Sequence, residues 1–214
     1  MVDLNPFEKA LSRLLGGEKL KKIQGVKVGI AGAGGLGSNC AQFLVRSGFK
    51  RFCIVDFDTV EEGNLNRQFF FSVQVGRKKV DALKENLLSI NPDLEIEALH
   101  KKIEEENLKF LFNDCHAVVE ALDSAVCKRM LVEHFMGTGK LLVAASGLAG
   151  WGKSDDIRIH RIRENFFLVG DLVSGVGPDR PPMAPMVVTA AAKQADIVLG
   201  YFLANPDGGV SDGD

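Results

Sequence analysis

Seven residues near the N-terminus, Gly32-Ala33-Gly34-Gly35-Leu36-Gly37-Ser38, constrain this chain more than any other feature. They place G-x-G-x-x-G between a short apolar run, residues 26–31, and a helical pattern, residues 36–47. Glycines at that spacing let the backbone turn sharply and approach a phosphate, and the helix that follows presents free N–H groups and the positive end of its dipole. Strand, turn and helix in that order open a doubly wound α/β sheet whose ligand sits at the carboxyl ends of the strands. Asp56 ends the next strand, residues 52–55, about 20 residues downstream, where a carboxylate accepts a ribose hydroxyl or caps the following turn. Gly32, Gly34, Gly35, Gly37 and Asp56 therefore predict a nucleotide site; the fingerprint alone favours NAD, although the same features serve any nucleotide.

The rest of the pattern extends the same architecture. Apolar residues at helical spacing from Leu4 to Ile23, interrupted at Gly16-Gly17, predict a helical extension ahead of the first strand. Residues 80–90 read as a helix stopped by Asn91-Pro92. Residues 94–99, 117–121 and 141–145 read as strands, with helices near 104–112 and 125–136 between them. The alternation predicts a mostly parallel, Rossmann-like sheet. After Trp151 the pattern changes to Ile157, Ile159, Ile162 and then 166–169, an antiparallel pair, before a proline-rich stretch. The expected organisation is one domain: a helical extension at 1–25, a nucleotide-binding core at 26–150, and antiparallel strands with a final helix at 151–214.

Composition removes several partner classes. In 214 residues, 26 Lys and Arg nearly balance 28 Asp and Glu, which leaves no basic field to gather nucleic acid. Residues 1–25 carry Glu8, Lys9, Glu18, Lys19, Lys21 and Lys22, so no secretory h-region is drawn there. The apolar stretch 183–204 is interrupted by Lys193, Gln194 and Asp196, which suits a core or dimer-interface helix better than a membrane span. A cytoplasmic protein with neither nucleic-acid nor membrane partner is expected. Cys40, Cys53, Cys115 and Cys127 form no C-x-x-C pair, so no zinc is expected and all four are read as small packed hydrophobes.

The segment after Asp56 favours ATP. A stretch as long as 56–76 without regular structure is usually functional. Arg67, and Arg77-Lys78-Lys79 at the next helix, would bring cations over the phosphates, although such a cluster also suits a solvated helix terminus. Asp123 follows a parallel strand, where it would either share a magnesium ion with phosphate oxygens or cap the helix beginning near Ser124.

Taken together, G-x-G-G-L-G-S at 32–38, D-F-D-T-V-x-x-x-N-L-x-R-Q at 56–68, V-G-x-x-K-V at 75–80, Asn91-Pro92 and Ala121-Leu122-Asp123 resemble the ThiF/MoeB/HesA group of adenylating enzymes, relatives of the ubiquitin-activating enzymes. The resemblance spans residues 13–204 and is closest to a short ThiF subgroup. It implies that Gly35 and its neighbours hold phosphate, that Asp56 holds the ribose, and that Asn64, Arg67 and Lys79 contact the triphosphate. Asp123 would coordinate Mg2+, and Asp58 and Gln68 would support the loop. It further implies ATP-dependent adenylation of the Gly-Gly carboxylate of a ubiquitin-like sulfur carrier, ThiS-like, for thiamine biosynthesis. Members are symmetric homodimers in which an N-terminal arginine, here best matched by Arg13, reaches the partner's ATP. The chain departs from many relatives in lacking paired C-x-x-C zinc ligands and in having no cysteine in 174–180. Three other readings remain open: a tRNA threonylcarbamoyladenosine dehydratase, an NAD-linked oxidoreductase, and a noncatalytic nucleotide-binding module.

Overall fold

The computed structural model describes residues 4–204; the outer ends of the two terminal segments, 1–3 and 205–214, lie outside the described residues. Helix α1 (Pro6–Leu15) begins with a capping box: the Asn5 side chain accepts the Glu8 N–H, and the Glu8 carboxylate reaches back to the Asn5 N–H. Gly16 ends it and α2 (Gly17–Gly25) follows, so the break falls at the expected glycines. Next come β1 (Lys27–Ala31), α3 (Gly35–Ser47), β2 (Arg51–Asp56), α4 (Lys79–Leu88) and β3 (Glu95–His100). The second half holds α5 (Glu105–Leu108), β4 (Ala117–Glu120), α6 (Ala125–Phe135), β5 (Leu141–Ala145), β6 (Arg158–Arg163), β7 (Phe166–Gly170) and α7 (Ala184–Ala204).

All seven strands form one sheet in the order β3-β2-β1-β4-β5-β7-β6. Every pairing is parallel except β6 with β7. The antiparallel pair is therefore not a separate layer, because β7 joins β5 in parallel and carries β6 out as the edge. Alternate residues of the buried strands face two cores. One holds Val28, Ile30, Phe52 and Ile54 with α3, α4 and α7; the other holds Ala31, Cys53, Val55 and Val118 with α5 and α6. Helix α7 is apolar and 21 residues long, and half of it is buried inside the molecule. Its polar interruptions are used: Lys193 donates to the Ile157 carbonyl, and Gln194 donates to the Glu120 and Val143 carbonyls.

Two local expectations change. The helix expected over 104–112 is a single turn, followed by turns through Phe112, whose φ of 62° lies in the left-handed region. Of the four cysteines, Cys40, Cys53 and Cys115 are buried, whereas Cys127 is partly exposed in the first turn of α6.

The order of chain entry sets the site. From β1 the chain winds outward through β2 and β3, and it then returns to lay β4 on the other side of β1. The carboxyl ends of β1 and β4 thus flank the reversal point, where open α/β sheets take their ligands.

Candidate functional site

The turn after β1 is built so tightly that side chains are excluded. Gly32 has φ of 97°, and a Cβ there would lie 2.6 Å from the Ala121 carbonyl oxygen, just beyond β4. A Cβ on Gly37 would collide with the Gly32 carbonyl oxygen, so α3 packs directly against the strand end. Gly35 has no room either, since its Cβ would meet Val187 Cγ1 of α7 at 2.8 Å. Gly34 is the N-cap of α3 and offers no side-chain cap, so first-turn N–H groups lack intrahelical acceptors and point out of the helix end.

Asp56 locks this turn. Its Oδ2 accepts the Ala33 N–H at 2.6 Å and its Oδ1 accepts the Asp58 N–H at 2.7 Å. Asp56 therefore caps the next turn, and each oxygen keeps lone-pair capacity for a further donor.

The segment expected to be irregular contains two short 3-10 turns, Glu62–Asn64 and Ser72–Gln74, and a bridge between Thr59 and Lys78. It is bolted to α3 from several sides. Asn39 donates to the carbonyls of Gly35 and Arg67, and Ser38 Oγ accepts the Phe69 N–H. Arg67 consequently lies over the glycine turn, its Cγ 3.5 Å from where a Gly35 Cβ would stand. Its guanidinium is turned onto the Gly63 carbonyl and Asn66 Oδ1. The Asn64 side chain accepts the Glu61 N–H. Lys79 opens α4 almost fully buried, its side chain 7% exposed, with Nζ 2.7 Å from Asp58 Oδ2. A buried cation is costly unless a partner holds it. Asp58 is that partner, and its own backbone N–H is held by Asp56.

Asp123 is exposed on the loop after β4, two residues beyond the Ala121 carbonyl that touches Gly32. The cap of α6 is Ser124, whose side chain accepts the Cys127 N–H, so the helix-capping reading of Asp123 is corrected and its carboxylate makes no hydrogen bond among the described residues. Gly32, Gly34, Gly35, Gly37, Asp56, Asn64, Arg67, Lys79 and Asp123 thus lie at the carboxyl end of the sheet. Arg13 does not join them. Helix α1 is tied to the opposite, amino end by Asn5 to Asn91 and Asp93 and by Glu8 to Lys50, all near the amino ends of β2 and β3.

Chemically, the site offers unsatisfied helix N–H groups, two cations and a free carboxylate around a turn only glycine can make. Gln68 Oε1 is buried with no hydrogen-bond partner among the described residues, and its amide lies against Gly34. An acceptor of that kind is satisfied by a donor-bearing ligand or an ordered water. Phosphate oxygens fit the N–H groups and cations, a ribose hydroxyl fits Asp56, and a divalent cation fits Asp123 only together with ligand oxygens, since no cluster of metal-ligating side chains exists among the described residues.

Sequence reasoning passed over Asn39, whose position on α3 carried no motif, and the Glu120–Lys128 pair. Glu120 is buried at the end of β4, its carboxyl raised by burial against the pull of the Lys128 ammonium and the Leu122 N–H.

Beside this site a cleft of about 630 Å³ opens among Ala149–Trp151, Arg158, His160, Asp171, Val173, Arg180 and Met186. Met186 lines it while its neighbour Val187 faces Gly35, so the first turn of α7 forms the wall between cleft and glycine turn. Trp151 is 62% exposed there and Val173 89%. Asn66 Nδ2 donates to the Pro182 carbonyl, which joins the loop after β2 to the segment bordering the cleft.

A sequence model described as the ThiF family matches residues 8–166. Among curated proteins, the ubiquitin-like modifier-activating enzyme 5 of Arabidopsis thaliana is 41% identical over 105 residues, covering 48% of this chain and 24% of that enzyme. The enzyme of the same name from Xenopus laevis is 40% identical over 99 residues, 45% of this chain and 25% of the relative. The chain therefore matches only about a quarter of the length of these relatives. Among solved structures, E. coli tRNA N6-threonylcarbamoyladenosine dehydratase in complex with AMP superposes with a TM-score of 0.83 at 20% identity, covering 92% of this chain and 93% of that one. E. coli MccB with an MccA variant superposes at 0.68 and 21% identity, covering 87% and 59%. At those identities the superpositions establish the fold.

Proposed function

The chain belongs to the ThiF family over residues 8–166, and from that premise we propose that it binds ATP on the glycine turn and adenylates the C-terminal Gly-Gly carboxylate of a ubiquitin-like, ThiS-like sulfur carrier, releasing pyrophosphate, as a step of thiamine biosynthesis. The observation that carries this reading is Lys79: a cation buried at the mouth of a dinucleotide-type turn and held at 2.7 Å by Asp58. A dehydrogenase has no use for it. A triphosphate does, because transfer at the α-phosphorus is limited by negative charge.

In this reading the first-turn N–H groups of α3 bind phosphate oxygens, Asp56 accepts a ribose hydroxyl, and Asn64 supports the loop from which Arg67 reaches the triphosphate. Arg67 leaves its contacts with Gly63 and Asn66 when a stronger, charged acceptor is present. Lys79 is already oriented, so its charge acts without rearrangement. Asp123 would hold Mg2+, which when bound neutralises phosphate charge. The attacking carboxylate is ionised at neutral pH, so the chain needs no general base and works by alignment. The cleft walled by Met186 suits the arrival of an extended tail from outside, with Trp151 and Val173 supplying apolar contact for the carrier's body. The relatives named as ubiquitin-like modifier-activating enzymes support a carrier of ubiquitin type.

Helix α1 is anchored at the amino end of the sheet, away from its own nucleotide site, and we assign Arg13 to the site of the second subunit in a homodimer. The test of the whole reading is exchange of labelled pyrophosphate into ATP. Exchange should require a Gly-Gly-ended carrier. Exchange without one, or turnover only with a threonylcarbamoyladenosine-bearing tRNA, would replace it.

A further inference from the structure

Three partners meet on the carboxylate of Glu120, 1% exposed at the end of β4, and a fourth holds its main-chain carbonyl. Lys128 Nζ, from α6, donates to both of its oxygens at 2.9 and 3.0 Å, and the Leu122 N–H donates to Oε1 at 2.7 Å. The Ala145 N–H at the end of β5 lies 3.5 Å from Oε2, and Lys128 also donates to the Ala145 carbonyl at 3.1 Å. From α7, Gln194 donates to the Glu120 carbonyl at 3.1 Å. Only donors surround the carboxylate, the set that suits its ionised form.

Such a buried pair is a poor device for stability, since apolar side chains of similar volume hold a fold as well or better. What an ion pair with fixed N–H partners adds is direction. The loop it spans, between β4 and α6, is Ala121, Leu122, Asp123 and Ser124. Leu122 is tied to Glu120 from one side, and α6 is tied to it from the other through Lys128. Asp123 stands between the two ties with no hydrogen bond of its own.

We propose that Glu120 and Lys128 are positioning residues: they clamp both ends of the Asp123 loop to the sheet so that its free carboxylate is presented beside the glycine turn in one orientation. This rests on the reading of Asp123 as the group that holds a divalent cation with ATP. The clamp reaches Asp123 through the loop backbone and not by touching it; where an outer partner does touch a metal ligand, its loss lowers metal affinity by roughly 10–100-fold.

The test measures Mn2+ binding to the protein–ATP complex by electron paramagnetic resonance, together with ATP affinity in Mg2+ and in EDTA. The variants are Lys128→Met, Lys128→Arg, Glu120→Gln and, as reference, Asp123→Ala. Lys128→Met should weaken Mn2+ about tenfold or more, leave ATP affinity in EDTA within about twofold, and lower kcat for adenylation without raising KM for ATP. Lys128→Arg should restore most of the Mn2+ affinity, and Glu120→Gln, which keeps the side-chain shape, should fall between. If Lys128→Met and Glu120→Gln change thermal stability but leave Mn2+ affinity at the wild-type value while Asp123→Ala abolishes it, the pair is merely structural and the inference is overturned. If Asp123→Ala itself leaves Mn2+ binding unchanged, the metal reading of Asp123 falls, and the inference with it.

Discussion

Replacing Lys79 by Met isolates the charge on which the proposed chemistry depends. Met keeps an unbranched, flexible stem of similar reach, so the buried volume at the start of α4 stays filled. What is lost is one ammonium and its 2.7 Å contact with Asp58. Asp58 is 44% exposed and resolvates once its partner is gone, while the Lys79 charge that is removed lies buried, 7% exposed, and was itself costly to desolvate, so the loss to folding is small, about 1 kcal/mol or less. In a chain of this size that lowers the melting temperature by about 2–4 °C. The same charge aimed at a phosphoryl group is worth far more, because a preorganised donor at a developing charge contributes about 2.7–4 kcal/mol, or roughly 10²–10³ in rate. The two effects separate in paired assays: carrier-dependent pyrophosphate exchange for the first-order rate, and thermal unfolding for stability. Asp58→Asn keeps the ammonium but loosens it, and should reduce exchange by less than Lys79→Met. The reasoning is refuted if Lys79→Met exchanges within a few-fold of wild type, or if its loss of rate is matched by a collapse in melting temperature.

Three further outcomes are expected. Gly37→Ala, whose Cβ would strike the Gly32 carbonyl, should destabilise the fold by about 1–3 kcal/mol and weaken ATP binding; unchanged calorimetric unfolding and nucleotide affinity would show that the turn has slack. His116 Nδ1 accepts the Lys27 N–H at 2.9 Å and burial holds its pKa below the ordinary value, so the unfolded chain binds the extra proton first and stability should fall as pH drops below about 6.5. His116→Asn, which retains an acceptor, should flatten that slope in urea titrations between neutral and mildly acid pH, and an unaltered slope would exclude His116 as its source. Co-refolding inactive Arg13→Ala with inactive Asp123→Ala should restore about a quarter of wild-type exchange, the share expected when each mixed two-fold dimer holds one intact shared site; mixed dimers that stay inactive would place Arg13 outside the partner's site.

Where the site was legible, short-range chemistry carried the signal. The glycine turn, the end of β2 at Asp56 and the start of α4 at Lys79 are each announced by residues within a few positions of one another, and the sheet brings them together because consecutive strands pair. What escaped lies in contacts far apart in the chain. Gln194 read only as a polar interruption of an apolar helix, and its bond to the Glu120 carbonyl, 74 positions away, is what the pattern could not show. Glu120 and Lys128 are only eight positions apart, yet a strand end and a helix separate them and no periodicity links them. The helix expected at 104–112 stops after one turn although its residues are ordinary helix formers, because Phe112 swings into the left-handed region and its ring packs over Gly29, where no Cβ stands in the way. Arg13 was matched by chain position alone, and only the tie between α1 and the amino ends of the strands reveals how far it lies from its own nucleotide site.

The central claim is that the nucleophile is a protein C-terminus and the electrophile the α-phosphorus of ATP. The most direct measurement is the intact mass of a purified ThiS-like carrier after incubation with this protein, ATP and Mg2+, quenched in acid to preserve the mixed anhydride. The account predicts a carrier heavier by one adenylyl group, absent when the terminal glycine is deleted and formed roughly 10²–10³ more slowly when Lys79 is replaced by Met. A carrier of unchanged mass while ATP is consumed, or an adenylyl group that survives deletion of the terminal glycine, would contradict it.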